Sequence, residues 1–400
     1  MNGQTAAPAR RLVALYTLAY CGLFVAFMPF VSILLQVKVA AIDPANRVTL
    51  LGQVVLFGVF VASIANIAAG WLSDVQRRRS GSRRPTIAIG LAGLAIAFAA
   101  IHRATTPLAL LAAVGFWQVA LNLMFAPMVA VLADEVPDAA RGQVSGLLGI
   151  SHPVGVLSAS FVTLPLFAGE AARFAANVGL AAAMILPFVL FAREQALGDA
   201  APPSAAQPVR RTIGRGDLIR AWCARLAMQA AGNGMTAYAF FHFADRWQGG
   251  GDAAGPVARA MAVVTGVAVV MTILAGRWSD RIGGRRPFLG LATLLVAGGL
   301  SAMALAGSFV GVAIGYGIAT VGLSVFLALH TALAMQLLPS PATRGRDLGV
   351  LNLTNTLPGC LPPLLAAVLP PGVGLGVIFA ALAAVAVAGG IAALAIRAER

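Results

Sequence analysis

Gly70-Trp71-Leu72-Ser73-Asp74 is followed by a basic run ending in Arg83-Arg84-Pro85, and Gly276-Arg277-Trp278-Ser279-Asp280 is followed by Arg281 and then Arg285-Arg286-Pro287. The offset is 206 residues at the Gly and Asp and 202 at the Arg-Arg-Pro, because the second loop is four residues shorter. A second pair repeats at nearly the same shift. Pro137-Asp138-Ala139-Ala140-Arg141-Gly142 returns as Pro339-Ser340-Pro341-Ala342-Thr343-Arg344-Gly345. Two independent motifs that share one half-chain shift show that one structural unit occurs twice. Each copy lies between long apolar runs, and that placement gives the repeat its meaning.

The surrounding composition is that of a membrane protein. Of the 400 residues, 59% are hydrophobic and 10% charged, against about 25% charged in soluble domains. Mean hydropathy is +0.87. This balance excludes disorder, collagen, coiled coil and a secreted disulfide scaffold. A spanning helix needs about 20 apolar residues. A membrane barrel would instead alternate in segments of about ten. Cys21, Cys223 and Cys360 each lie inside an apolar run and form no framework. Arg10 and Arg11 precede a run of full span length, so no cleaved signal peptide is expected.

The apolar runs predict twelve spans at 12–36, 48–72, 86–103, 107–132, 143–167, 173–192, 218–244, 256–278, 287–306, 309–337, 347–369 and 373–396. The stretch 194–217 is polar, Pro-rich and basic, and reads as a linker. The expected domains are therefore 1–193, a six-helix bundle, and 218–400, its copy, joined by the linker 194–217. Six spans per copy gives both halves the same orientation in the membrane. The net charge of +14 resides mostly in short loops. Of 28 basic residues, 21 fall on the side that holds both chain ends and six on the other. That bias predicts cytoplasmic termini and favours membrane orientation over nucleic-acid binding as the role of the charge.

The duplicated Gly-x-x-Ser-Asp with Arg-Arg-Pro resembles the signature loop of the major facilitator superfamily, over essentially the whole chain. Leu72-Ser73-Asp74 through Arg84-Pro85, and Arg346-Asp347-Leu348-Gly349-Val350-Leu351-Asn352, look most like its sucrose/glycoside–proton symporter branch. The resemblance implies an all-α membrane protein of twelve transmembrane helices in two pseudo-symmetric six-helix bundles, working by alternating access. It also implies a gating latch formed by Gly70, Asp74, Arg78, Arg84, Asp134, Arg141, Gly276, Asp280, Arg285, Arg286 and Arg344. The physical reasons are separable. Glycine lets helices approach closely. A carboxylate at a helix end accepts from starting amides or pairs with arginine, and proline fits a first helical turn. Solvated loop charges are the alternative for each.

In that superfamily spans 1, 4, 7 and 10 line the cavity. Polar groups in hydrocarbon need a partner or water, so polar stripes mark candidate cavity faces. Span 7 carries Arg225, Gln229, Asn233 and Thr236, spaced four, four and three apart on one helical face. Span 4 carries Gln118 and Asn122 beside Trp117. Span 1 carries Tyr16 and Tyr20, span 10 Tyr316, Thr320 and His330, and span 11 Asn352 and Asn355. The expected substrate-binding set is Tyr20, Gln118, Asn122, Arg225, Gln229, Asn233, Tyr316, Asn352 and Asn355. Helix–helix hydrogen bonding competes with this reading for every amide, and snorkelling for Arg225. No Asp or Glu lies deep in a span, so the coupling candidates are His330, His152 and His242, with Asp245 the nearest carboxylate. The resembling branch implies an acid near position 330. His152-Pro153 also reads as a helix kink.

No GxxxxGK[ST] loop, HExxH, paired CxxC or GxSxG occurs, so ATP hydrolysis, metal chemistry and a membrane hydrolase are not expected. The only interfacial acid cluster, Asp134, Glu135 and Asp138, belongs to a repeated loop. The reading is a transporter and not an enzyme, without cofactor or metal. It moves a small polar solute, a sugar or glycoside, with protons. A drug or metabolite exporter of the same superfamily is the alternative. Expected partners are the solute, protons and the lipid bilayer, with no nucleic acid and a monomeric state. Arginine-dominated basic usage and abundant alanine accord with a bacterial inner membrane.

Overall fold

The structure, a computed structural model, describes residues 10–136, 138–192, 215–282, 285–336, 354, 357–368 and 374–396. Among these residues every regular element is helical. Two compact units result, Met1–Leu50 with Phe57–Pro202, and Leu51–Leu56 with Pro203–Arg400.

In the first unit, α1 (Arg10–Pro29), a π-helical turn (Phe30–Leu34) and α2 (Leu35–Ile42) make one continuous span. Then come α3 (Arg47–Ser80), α4 (Arg84–Arg103), α5 (Pro107–Glu135), α6 (Asp138–Leu148), α7 (Ser151–Val162) and α8 (Glu170–Phe191). The second unit contains α9 (Arg215–Ala244), α10 (Ala254–Ile282), α11 (Arg286–Leu305), α12 (Phe309–Gln336), α13 (Leu361–Val368) and α14 (Leu375–Leu394).

Ten of these segments are long and apolar enough to cross a membrane, which agrees with ten of the twelve expected spans. Helix α9 misses the composition test because its polar stripe dilutes its hydropathy, yet its 30 residues make about 45 Å of helix, longer than the roughly 30 Å hydrocarbon core. The remaining expected span, 347–369, is described only in part. The duplication is visible in the bounds, since α4 and α11 are both 20 residues long and start 202 positions apart.

Local chemistry sets the ends. Helix α3 stops at Gly81, whose φ of 72° is left-handed, with its N–H bonded to the Arg77 carbonyl at 2.8 Å. Arg77, Arg78 and Arg79 occupy the last turn, where cations suit the helix dipole. Pro85 and Pro287 lie in the first turns of α4 and α11 after the N-cap residues Arg83 and Arg285. The kink expected at Pro153 takes the form of a break between α6 and α7 at Gly149–Ile150. Proline at 153 cannot donate to the carbonyl of residue 149, so the helix restarts at Ser151.

Pro29 poses the same problem within the first span. It cannot donate to the Val25 carbonyl, and the Asn177 side chain from α8 does so instead, at 3.0 Å. The carbonyl is thereby satisfied where no water would be available. The interior of this unit is aromatic, with Phe30 4.5 Å from Trp117 and Phe98 5.1 Å from Phe174 between ring centroids. A Cβ built on Gly155 would lie 2.6 Å from the Phe24 carbonyl oxygen, so only glycine lets α7 lie this close to α1.

Candidate functional site

The end of α3 and the start of α4 meet α5 in a charge network. The Arg83 guanidinium, about 10% exposed, lies 2.7 Å from Asp74 Oδ1 and 2.9 Å from Asp134 Oδ2. It also donates to Ser73 Oγ at 2.8 Å. Arg77 Nη1 reaches the same Asp134 oxygen at 2.5 Å. One buried fork thus joins two carboxylates from different helices, which is the geometry guanidinium suits and ammonium does not.

The expected latch members divide accordingly. Asp74 and Asp134 come together. Arg78 is exposed, and Arg84 lies 6.0 Å over the Phe188 ring. Arg83 and Arg77, which the expected set omits, supply the ion pairs to Asp74 and Asp134. The signal was present: with Pro85 in the first turn, Arg84 is already helical, whereas Arg83 is the cap that faces back into the loop. The glycine rationale is corrected as well. A Cβ on Gly70 or Gly276 meets no described atom within 4 Å, so neither glycine serves a close helix approach here.

The second copy is built differently. Asp280 is exposed and makes no ion pair among the described residues. Ser279 Oγ and Arg285 Nη1 are buried without a hydrogen-bond partner among the described residues, although their counterparts Ser73 and Arg83 bond each other. Arg286 instead donates to the Leu394 carbonyl at the end of α14. Arg344 lies outside the described residues. Arg141 is on α6, and its side chain lies outside them too.

The polar stripes also sort into two kinds. Asn122 bonds with its own helix and a neighbour: its Nδ2 donates to the Gln118 carbonyl at 2.8 Å, and its Oδ1 accepts from Asn66 of α3 at 2.9 Å. The Gln118 side chain rests on Gly58, 3.1 Å from the Cβ position there. This pair therefore joins α5 to α3. Asn66 was missed because a lone amide in an apolar run carries no periodic signal. Tyr16 donates to the Met128 carbonyl at 2.7 Å, and buried Tyr316 packs against Phe243. Both act as core side chains. Tyr20, Gln229 and Asn233 remain half-buried. Asn352 and Asn355 lie outside the described residues.

Arg225 and His330 do converge. Arg225 Nη1 donates to Thr331 Oγ1 at 2.7 Å, which brings α9 onto α12 beside His330. The His330 ring is fully buried and stacked on Phe326 at 5.5 Å. Neither ring nitrogen makes a hydrogen bond of normal geometry, although the Ala221 backbone approaches. His242 is different. Its Nε2 meets the Met303 carbonyl at 2.7 Å and its Nδ1 meets Arg246 Nη1 at 3.1 Å. With Arg246 donating, Nδ1 must accept and Nε2 must donate, so Nε2 holds α9 to α11 while Nδ1 bonds Arg246 one turn further on, whose Nε reaches the Ala306 carbonyl at 2.6 Å. These bonds give His242 a fastening role. Asp245 is exposed just beyond α9, and His152 is exposed on α7 beside Phe24.

A second ionic cluster escaped the sequence reading. Lys38, 6% exposed, lies 3.0 Å from Glu170 Oε1 and donates to the His102 carbonyl at 2.8 Å. His102 Nδ1 is 3.5 Å from Glu170 Oε2. It ties together α2, α4 and α8, and three residues so far apart in sequence gave no motif to find.

Comparison with known proteins agrees with this architecture. No curated protein matches the sequence. Among solved structures, an inward-facing bacterial homolog of the human lysosomal transporter Spinster aligns over 96% of this chain and 95% of its own, with TM-score 0.65 and 18% identity. A D-xylose–proton symporter aligns over 97% of each chain, with TM-score 0.70 and 14% identity. A peptide transporter POT in complex with alafosfalin covers 99% of this chain and 95% of its own, with TM-score 0.70 and 14% identity. At such identities the likeness is one of fold. Residues 12–250 match the sequence profile of the Major Facilitator Superfamily, and this chain belongs to that superfamily of membrane transporters.

Proposed function

We propose that this protein is a proton-coupled secondary transporter of a small polar solute, of the sugar or glycoside kind. It would work by alternating access, with the halves 1–193 and 218–400 rocking around a site near the bilayer midplane. Both termini would lie in the cytoplasm of a bacterial cell, and the functional unit would be a monomer. The observation that carries the reading is the meeting of Arg225, Thr331 and His330 on α9 and α12. A cation and an imidazole inside apolar helices are costly unless they serve a solute or ion path. Histidine also supplies a titratable group where no deep carboxylate exists. The Asp74–Arg83–Asp134 network supports a conformational latch, since charge-assisted bonds between helix ends can be made in one state and broken in another.

The test is uptake of labelled mono- and disaccharides into proteoliposomes, with and without an imposed proton gradient, for the parent protein and His330→Ala. Gradient-driven uptake that the variant loses supports the reading. No sugar uptake by folded protein would overturn the substrate class. Asp74→Asn should slow transport more than it lowers folded yield.

A second reading, an exporter of less polar metabolites or drugs, is favoured by one observation. Asn122 bonds Asn66 and its own helix, which leaves fewer polar groups in the first unit for a sugar.

A further inference from the structure

The first span is the most enclosed helix of its unit. Of its apolar stretch 72% is buried, against 28–50% for the other spans of that unit. Leu18 is the one large apolar side chain it exposes among the described residues. Among its half-open residues, Thr17, Tyr20, Phe24 and Phe27 are spaced three and four apart and so share one helical face. Phe125 of α5 lies 6.0 Å from both Tyr20 and Phe24, and His152 of α7 lies 6.1 Å from Phe24. Helices therefore flank the stripe on both sides, and it forms the floor of a groove. His152 is exposed at its surface. Its ring nitrogens make no hydrogen bond within the described residues.

The chemistry of the groove is specific. The rings meet at 47–65°, so an incoming ring finds both faces and edges in the favourable tilted arrangement. No carboxylate belongs to this set, which disfavours a cation, and no guanidinium or ammonium belongs to it, which disfavours an anion. Polar capacity is small: the Tyr20 hydroxyl, the His152 imidazole and, at one end of the stripe, the enclosed Thr17 hydroxyl. A bare polyol would leave most of its hydroxyls unpaired here.

We propose that this groove is an aryl-binding subsite. Tyr20, Phe24 and Phe125 pack on an aromatic ring of the transported solute, and His152 hydrogen-bonds a substituent of that ring. The substrates then include neutral aryl glycosides. The inference rests on the transport reading above and assigns it a substrate class.

Titration calorimetry on the purified full-length chain tests it, with 4-nitrophenyl β-glucoside and methyl β-glucoside as probes. The aryl probe should bind about tenfold more tightly or better, the scale of one to two ring contacts. Phe125→Leu, which keeps an apolar side chain but removes the ring, should cut the aryl-to-methyl affinity ratio about tenfold. Phe125→Tyr should restore it, and Phe24→Leu gives an independent second variant. The proposal is overturned if folded parent protein binds the aryl probe no better than the methyl one, or not at all. It is equally overturned if both leucine variants keep the parent ratio. Proton-driven uptake of methyl glucoside without any aryl preference would sink the subsite and leave the transport reading standing. Ring-dependent binding with no uptake of either probe would do the reverse.

Discussion

The connections after α3 and α10 share a Ser-Asp and Arg-Arg-Pro frame and have different physical lives. In the first, Arg83 is buried between Asp74 and Asp134 and bonded to Ser73. In the second, Ser279 and Arg285 retain buried polar atoms without partners among the described residues, and Asp280 faces outward. The difference lies outside the motif. Asp134 supplies the second carboxylate of the first network, and 202 residues later, at the repeat offset of Arg-Arg-Pro, the chain has Gln336. Duplication copied the arginine and the serine, while the position of the acid carries an amide. A motif alone therefore does not define a network, because the partner on the neighbouring helix decides whether charges are fastened or merely solvated.

The comparison can be broken by experiment. The largest effect should come from Arg83→Ala, which leaves Asp134 to Arg77 alone and Asp74 to solvent. It should lower stability by about 1–3 kcal/mol, against less than about 1 kcal/mol for Arg285→Ala. Denaturant unfolding in detergent measures both, and equal losses would erase the asymmetry. Asp134→Asn should cost about 1–2 kcal/mol, because Arg83 keeps Asp74 and Ser73. Asp280→Asn should stay within about 0.5 kcal/mol, as for other exposed sites. The smallest effects belong to the glycines. With open space around both, Gly70→Ala and Gly276→Ala should each be neutral or stabilising by up to about 1 kcal/mol. If transport falls in either variant while stability holds, that glycine is needed in a conformation other than this one.

Much of the architecture was legible. Span positions follow from apolar runs, and the repeat predicted helix pairs whose bounds recur 202 residues apart. Proline and glycine marked the helix starts at Arg84 and Arg286 and the stop at Gly81. What sequence could not supply was direction. A spacing of four puts Gln118 and Asn122 on one face of α5, but the same spacing serves a cavity wall and a seam against α3. Only the position of Asn66, 56 residues earlier, separates these readings. The bonds of His242 were equally hidden, since its partners are a backbone carbonyl and a neighbouring arginine, neither of which any motif announces. Arg225 and His330 were legible because a charge inside an apolar helix is conspicuous wherever its partner lies.

The ion pair at Lys38 has a practical side. It is the single lysine of the chain, and its ammonium is enclosed by Glu170 and the His102 carbonyl. An amine-reactive ester therefore meets one ε-amino group in the whole protein, and that group is shielded. Acylation at position 38 becomes a nearly background-free clock for the parting of α2, α4 and α8, readable by the mass of a single peptide.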